Sequence, residues 1–171
     1  MVRIIEFNYD IHSADLYRLN VEYVTWVAER FRTELNLDFE RVLGGTVEEY
    51  VSNFLKEFVK LVPPTGIILL IEDQGKIVGM GAVHNFAPGV GEITRMFIES
   101  SYRGRGLGTE MLDQLVSKGR EFQFKKLRLD TSEHFPYAIQ LYRSAGFLEV
   151  PFDNLGEAQP ETQHTQMERI L

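Results

Sequence analysis

Three glycines at alternate positions stand between an apolar strand and an amphipathic helix, and this feature constrains the fold more than any other in the sequence. Gly104, Gly106 and Gly108 follow the strand predicted at residues 92–98. Glycine has no side chain to keep a ligand away from the backbone. A helix also begins with unpaired N–H groups and a partial positive charge. The pattern therefore predicts a strand–turn–helix unit that binds an anion such as a pyrophosphate.

The pattern of apolar residues along the chain predicts a mixed α/β protein. Apolar residues at three- and four-residue spacing predict helices, and β-branched or alternating runs predict strands. Thr46 and Glu49 form a capping box before the second helix. The helices are predicted at residues 16–31, 47–59, 107–122 and 137–145. The strands are predicted at residues 2–8, 66–71, 77–86, 92–98, 126–130, 147–152 and 165–171.

These elements follow the order β-α-α-β-β-β-α-β-α-β-β. Antiparallel hairpins come first and βαβ crossovers follow, which is typical of an α/β (α+β) fold: a mixed, mostly antiparallel sheet with helices on both faces. Residues 32–45 are predicted to be a loop, and the polar residues 153–164 connect the last two strands. No linker divides the chain, so residues 1–171 are expected to form a single domain.

Composition excludes several classes of function. The 171 residues include no cysteine, which excludes a disulfide framework, a thiolate zinc site and a cysteine nucleophile. The four histidines lack metal-ligand spacing, so no metal is expected. A net charge of −7 argues against nucleic-acid binding. The longest apolar run, residues 67–71, is too short for a membrane span or a signal peptide. We therefore expect a cytoplasmic protein with no membrane or nucleic-acid partner.

The glycine turn by itself admits several interpretations. A dinucleotide fingerprint fits at Gly104 and Gly106, but Thr109 replaces the final glycine, and a P-loop lacks its Gly-Lys-Ser/Thr ending. The acetyl-CoA pattern Arg/Gln-x-x-Gly-x-Gly/Ala fits Arg103, Gly106 and Gly108 at every fixed position. A plain glycine-rich start of a helix, without a ligand, is the remaining alternative.

A second segment resembles the motif that one enzyme family pairs with such a turn. Its fixed positions, Ala-x-x-Leu-Tyr-x-x-x-Gly-Phe, are filled here by Ala138, Leu141, Tyr142, Gly146 and Phe147. The two motifs in this order, together with the order of elements, resemble the GNAT superfamily of N-acetyltransferases. The resemblance implies a GNAT-like fold and acetyl-CoA as the co-substrate.

The same resemblance assigns the residues that contact the cofactor. In the family, acetyl-CoA lies in a V-shaped opening between two parallel strands, one of which carries a bulge. The backbone of that strand binds the pantetheine and polarises the thioester carbonyl, and the turn holds the pyrophosphate. The implied cofactor-binding residues are Met96, Phe97 and Ile98 on the strand, and Arg103, Gly104, Arg105, Gly106, Leu107, Gly108 and Thr109 at the turn.

Two residues are implied as catalytic. Tyr142 stands where the family has a tyrosine that protonates or stabilises the departing thiolate, and a phenol is protonated at neutral pH. The alternative is a half-buried tyrosine that packs by its ring. Glu92 lies where the protein-acetylating branch has its general base, which removes a proton from the amine. The alternatives are a water chain or a solvated strand glutamate.

The sequence departs from the family's second motif at one position, and the resemblance also suggests which residues shape the acceptor pocket. An asparagine that contacts CoA in many relatives is replaced here by Phe135, so that role is not assigned. Trp26, Phe31 and Glu34 are candidates for the acceptor pocket, because the first helix and the loop after it commonly shape that pocket in the family. Core or surface packing is the alternative for each. His84 and His134 are predicted to be structural.

The function implied is transfer of acetyl from acetyl-CoA to a primary amine by direct attack in a ternary complex. The acceptor is either a small-molecule amine or a protein amino group. The alternatives are a non-catalytic acyl-CoA-binding sensor of the same fold and a nucleotide-dependent dehydrogenase. Folds of this kind often form homodimers, and the sequence leaves the oligomeric state open.

Overall fold

The structure is a computed structural model that describes residues 1–152 and 164–171. The helices are α1 (Tyr9–Leu35), α2 (Phe39–Leu43), α3 (Val47–Phe58), α4 (Leu107–Glu121) and α5 (Pro136–Ser144). The strands are β1 (Val2–Glu6), β2 (Gly66–Asp73), β3 (Lys76–Ala87), β4 (Val90–Ile98), β5 (Lys126–Ser132), β6 (Leu148–Val150) and β7 (His164–Ile170). A single 3₁₀ turn, Ser100–Tyr102, follows β4.

The strands form a seven-stranded sheet in the order β1-β2-β3-β4-β5-β7-β6. Neighbouring strands are antiparallel except β4 and β5, which are parallel. The predicted fold class, a mixed and mostly antiparallel sheet, is therefore confirmed. The doubly wound dinucleotide-binding fold has a mostly parallel sheet, and the strands described here do not have that topology.

Helices cover both faces of this sheet, as predicted. The side chains of β2 alternate between the faces: Ile68 and Leu70 pack with α1 and α3, whereas Ile67 and Leu69 pack with α4. Because both faces are covered, β2 is buried from Gly66 to Ile71 and is apolar after its first residue, which made it easy to recognise in the sequence.

The prediction of a loop over residues 32–45 is wrong. Helix α1 continues to Leu35 and ends at Asn36, which has a φ of 52°. The short helix α2 then begins at an Asp38 cap, whose side chain accepts a hydrogen bond from the Arg41 N–H at 3.3 Å. A five-residue helix is too short for a periodic pattern to reveal, because such a pattern needs at least two turns. Residues 153–163 of the predicted polar connection lie outside the described residues.

A buried carboxylate joins α1 to the end of β4. Glu99 accepts hydrogen bonds from Arg18 on α1 at 2.7 Å and from Lys76 on β3 at 2.5 Å. Arg18 also donates to the Ile77 carbonyl at 2.6 Å. Burial by itself raises the pKa of Glu99, but the hydrogen bonds from Lys76 and Arg18 outweigh burial and lower it. The ionised carboxylate therefore stabilises the junction from which the glycine turn begins.

We predict that Glu99→Gln lowers the free energy of unfolding near pH 7 by on the order of 1–2 kcal/mol. The folded-state pKa of Glu99 lies below the unfolded value, so its contribution is present above the unfolded pKa and is lost as pH falls through the folded pKa. Urea unfolding at pH 7 and pH 3 measures this. Glu57→Gln, which removes an exposed carboxylate paired with Lys60 at 2.7 Å, is the control and is expected to change little. Equal destabilisation by Glu99→Gln at both pH values contradicts the assignment.

Candidate functional site

The parallel strands β4 and β5 separate after a short stretch of pairing. Their register consists of Val90 with Lys126, Gly91 with Leu127, and Glu92 with Arg128. Both strands continue beyond the last pair, β4 to Ile98 and β5 to Ser132. A V-shaped opening therefore lies between them, as the resemblance implied.

A bulge on β4 lies at this opening. Met80 of β3 pairs with Phe97 and Ala82 pairs with Thr94, so Arg95 and Met96 together face a single residue, Gly81. One extra residue of this kind interrupts the ladder and re-aims the backbone. The bulge turns the backbone of β4 at Met96, one of the residues implied to contact the cofactor.

Arg95, which the sequence analysis did not single out, holds the bulge in place. It has a φ of 57°, an uncommon value for a residue other than glycine. Its buried guanidinium lies 3.7 Å from the centroid of the Phe54 ring and donates to the Tyr50 hydroxyl at 2.8 Å. These contacts from α3 offset the conformational cost of the bulge.

The glycine turn leaves the start of α4 open. Gly104 and Gly106 have φ values of 75° and 80°, and a Cβ placed on either residue would meet no atom within 4 Å. Gly106 is the N-cap of α4 and supplies no capping side chain. A Cβ on Gly108 would approach Leu141 of α5 at 3.4 Å, an ordinary contact. The turn therefore presents bare backbone to open space at the positive end of a helix, which suits a phosphate.

The two arginines of the turn brace it with their side chains. The Arg103 Nε donates to the Ile98 carbonyl at 2.9 Å, and its guanidinium lies 4.8 Å from the Trp26 ring. Arg105 donates to the Ser101 carbonyl at 2.9 Å and lies over the Tyr102 ring. Both add positive charge beside the turn while they fix its shape.

Tyr142 on α5 lies at the opening and is buried. Its ring packs against Phe147 in an edge-on contact, with 6.1 Å between centroids. Burial raises the pKa of Tyr142 above its ordinary value, and the neighbouring Tyr23 adds to the rise. The phenol therefore stays protonated at neutral pH and is able to donate a hydrogen bond.

Glu92 belongs to a charged cluster at the point where the strands separate. Arg128, almost fully buried on β5, lies 3.3 Å from Glu92 and 3.3 Å from Asp130. His84 lies 3.4 Å from the other oxygen of Glu92. Burial raises the pKa of Asp130, and Glu92 adds to the rise, although Arg128 opposes it. Asp130 is a second carboxylate that the sequence analysis did not identify.

A cavity of about 270 Å³ joins the bulge, Tyr142 and the two carboxylates, Glu92 and Asp130, and the residues of the glycine turn are not among those that line it. Six residues singled out in the sequence line it: Trp26, Phe31, Glu92, Met96, Ala138 and Tyr142. The lining residues that sequence reasoning missed include Tyr23, Phe39, Tyr50, Arg95, Asp130, Ser132 and His164. Phe135, noted only as a departure from the motif, also lines the cavity.

Other predicted residues lie elsewhere. Glu34 pairs with Arg30 at 3.5 Å and does not line the cavity, nor do His84 and His134. The Phe97 side chain is buried between the sheet and α1, so only its backbone is available to a ligand. Leu107, the first residue of α4, is buried in the core, whereas Thr109 is exposed on the first turn of the same helix.

Residues 1–152 and 164–171 contain no group of three or more histidine or acidic side chains arranged to hold a metal ion. Within the same residues, no helix combines the length and the apolar character needed to cross a bilayer.

Comparisons with known proteins agree with the geometry. The sequence profile of the Acetyltransferase (GNAT) family matches residues 24–147. The chain is 31% identical over 136 residues to the IAA acetyltransferase of Azospirillum brasilense, covering 78% of this chain and 86% of that protein. It is 30% identical over 103 residues to an uncharacterized N-acetyltransferase of Schizosaccharomyces pombe, where the match covers 59% of this chain and 61% of the relative.

Solved structures give the same result for the fold. A protein from Klebsiella pneumoniae assigned as an acyl-CoA N-acyltransferase superposes with a TM-score of 0.71 at 27% identity, covering 100% of this chain and 98% of that one. The PaiA N-acetyltransferase of Thermoplasma acidophilum, solved in complex with coenzyme A, superposes with a TM-score of 0.72 at 13% identity, covering 100% and 99%. The chain belongs to the GNAT acetyltransferase family, and the resemblance seen in the sequence is confirmed.

We predict that Arg95 and Tyr50 are energetically coupled in a double-mutant cycle. Tyr50→Phe removes the hydroxyl that accepts the Arg95 hydrogen bond, and Arg95→Leu removes the guanidinium. Each substitution is expected to cost about 1–3 kcal/mol. Because they remove the same contact, the double variant is expected to fall short of their sum by about 1–2 kcal/mol. Urea unfolding measures all four proteins, and additive costs contradict the coupling.

Proposed function

We propose that the protein is an N-acetyltransferase that moves acetyl from acetyl-CoA to a primary amine by direct attack within a ternary complex. The observation that carries this proposal is the opening between β4 and β5. It lies between a side-chain-free helix start, suited to a pyrophosphate, and Tyr142, a buried phenol. The match to the family supports acetyl-CoA as the donor.

The turn fits the proposed cofactor. Space for a phosphate exists at Gly104 and Gly106 because no side chain fills it. The N–H groups at the start of α4, from Gly106 to Thr109, are the donors that would hold the two phosphates. The backbone of Met96, Phe97 and Ile98 would bind the pantetheine, and an N–H at the bulge would polarise the thioester carbonyl.

The reaction requires one bond to form and one to break. The amine nitrogen attacks the acetyl carbonyl carbon, a C–N bond forms, and the C–S bond to coenzyme A breaks. The attacking nitrogen loses a proton, and the sulfur gains one. The products are an amide and free coenzyme A. The chain has no cysteine, which fits direct attack, because no thiol acyl-enzyme is available.

The two candidate catalytic residues have complementary roles in this proposal. Glu92, or a water beside it, takes the proton from the amine, since its carboxylate lines the cavity at the point where the strands separate. Tyr142 donates a hydrogen bond to the departing sulfur. Burial raises its pKa further above that of a thiol. Tyr142 therefore stabilises the thiolate mainly by the hydrogen bond that it donates to the sulfur. When the sulfur takes the proton from Tyr142, water replaces that proton on the phenol.

We predict that Gly106→Leu weakens coenzyme A binding at least tenfold, because the side chain fills the space that the phosphates need. Gly75→Leu is the matched control: Gly75 has a φ of 85° and equally open surroundings, in the turn between β2 and β3. Both variants carry similar backbone strain, about 1–2 kcal/mol. Titration calorimetry with coenzyme A measures binding. Unchanged affinity in Gly106→Leu removes the turn from the site, and no heat with the wild-type protein removes the proposed function.

We predict that Tyr142→Phe lowers kcat about 100-fold and leaves the KM for acetyl-CoA within about twofold, because the hydroxyl acts on the sulfur as the bond breaks. Tyr137→Phe on the same helix is the control, since Tyr137 is 88% exposed. Release of free thiol with a panel of amines measures turnover. An unchanged rate removes Tyr142 from the mechanism. Coenzyme A binding without turnover on any amine favours the sensor.

A further inference from the structure

One wall of the cavity is built from aromatic rings. We call Trp26, Phe31, Phe39 and Phe135 the aromatic wall. The Trp26 and Phe135 ring centroids are 4.9 Å apart, Phe31 and Phe39 are 5.5 Å apart, and Phe31 and Phe135 are 5.7 Å apart. The rings come from α1, α2 and the residue that caps α5, and all four line the cavity. The wall therefore offers a continuous apolar surface for a ring to pack against.

Another part of the cavity lining is acidic. Glu92 and Asp130 stand on neighbouring strands, and their side chains are only 12% and 15% exposed. The two carboxylates share one guanidinium, that of Arg128, at 3.3 Å from each. His84 lies beside Glu92, and His164 lowers the pKa of Asp130, which is the effect of a nearby positive charge. Arg128 is one positive charge shared by two carboxylates, so an ammonium group in this part of the cavity has a carboxylate on either strand to pair with.

The charges of the lining also argue against some acceptors. A polyamine would bring further ammonium groups, whereas the acidic side chains described in the lining, Glu92 and Asp130, already share Arg128. An acceptor with its own carboxylate would set that group near Glu92 and Asp130. Arg95 is a cation in the lining, but its guanidinium stacks on Phe54 and donates to Tyr50.

We propose that the acceptor is an arylalkylamine, a primary amine on a short chain from an aromatic ring, whose ring packs on the aromatic wall and whose ammonium lies at Glu92 and Asp130. This inference rests on the proposed acetyl transfer. The ammonium first passes one proton to Glu92 or to water. The amine nitrogen then bonds to the acetyl carbon as the C–S bond breaks, its second proton leaves to the same base or to water, and the departing sulfur takes a proton supplied through Tyr142. The products are the N-acetylated amine and free coenzyme A, with one proton released to water.

The chain carries its own reporter for this test. Trp26 is the only tryptophan in the sequence and lies in the aromatic wall, so its fluorescence reports on the cavity without any turnover. Titration with 2-phenylethylamine is expected to saturate at a Kd at least tenfold below that of n-butylamine or spermidine. Tighter binding of either aliphatic amine overturns the proposal. Tighter binding of L-phenylalanine also overturns it, in favour of amino-acid acceptors.

A substitution in the aromatic wall tests whether the amine binds there. Phe39→Ala is expected to weaken 2-phenylethylamine binding about tenfold and to leave coenzyme A affinity unchanged. Tyr9→Ala removes a ring that is 60% exposed on the first turn of α1 and is the control. Equal affinity in Phe39→Ala and wild type overturns the assignment to the wall. Should Phe39→Ala fail to fold, the comparison of ligands on the wild-type protein still decides.

The two proposals fail separately. Acetyl transfer to aliphatic amines or peptides, with no response of Trp26 to 2-phenylethylamine, overturns the acceptor class and leaves the acetyltransferase in place. A saturable response to 2-phenylethylamine with no heat from coenzyme A supports the arylalkylamine binding site and overturns acetyl-CoA as the donor.

Discussion

The separation of β4 and β5 after three residue pairs is the constraint on which the site depends. In a continuous sheet the backbone N–H and C=O groups of these two strands would hydrogen-bond to each other along their whole length. Here the ladder ends at Glu92 and Arg128, and Arg128 braces the point of separation. Its guanidinium contacts both Glu92 and Asp130 and lies 4.1 Å from the Phe86 ring centroid. A buried cation is costly unless it is paired, so this cluster fixes where the opening starts.

A second constraint acts on the far side of β4. The bulge requires a residue other than glycine to adopt a positive φ, which costs about 1–3 kcal/mol. The stacking of Arg95 on Phe54 and its hydrogen bond to Tyr50 offset this cost. Helix α3, which lies outside the two motifs recognised in the sequence, thus determines the backbone direction at the centre of the site.

Local signals explain what the sequence predicted well. The capping box is present as expected: the Thr46 side chain accepts from the Glu49 N–H at 3.2 Å, and the Glu49 carboxylate accepts from the Thr46 N–H at 3.0 Å. The glycine turn and α5 were recognisable because their backbone conformations demand particular residues.

Arg95 and Asp130 carried no such signal, since an arginine or aspartate in a strand looks the same whether it faces solvent or a cavity. Their roles arise from the strand register and from packing between distant segments. Phe135 was visible only as a missing asparagine, and its contact with Trp26 required the tertiary structure.

The packing of Arg103 has a thermodynamic consequence. The Arg103 guanidinium lies over Trp26, and its Nε donates to the last carbonyl of β4. One side chain of the glycine turn therefore contacts both the bulged strand and the indole. Whatever free energy links occupancy of the turn to the position of that indole acts equally in both directions. In the proposed reaction, Arg103 is therefore a side chain shared by the donor and acceptor regions, and any coupling between the two would act through it.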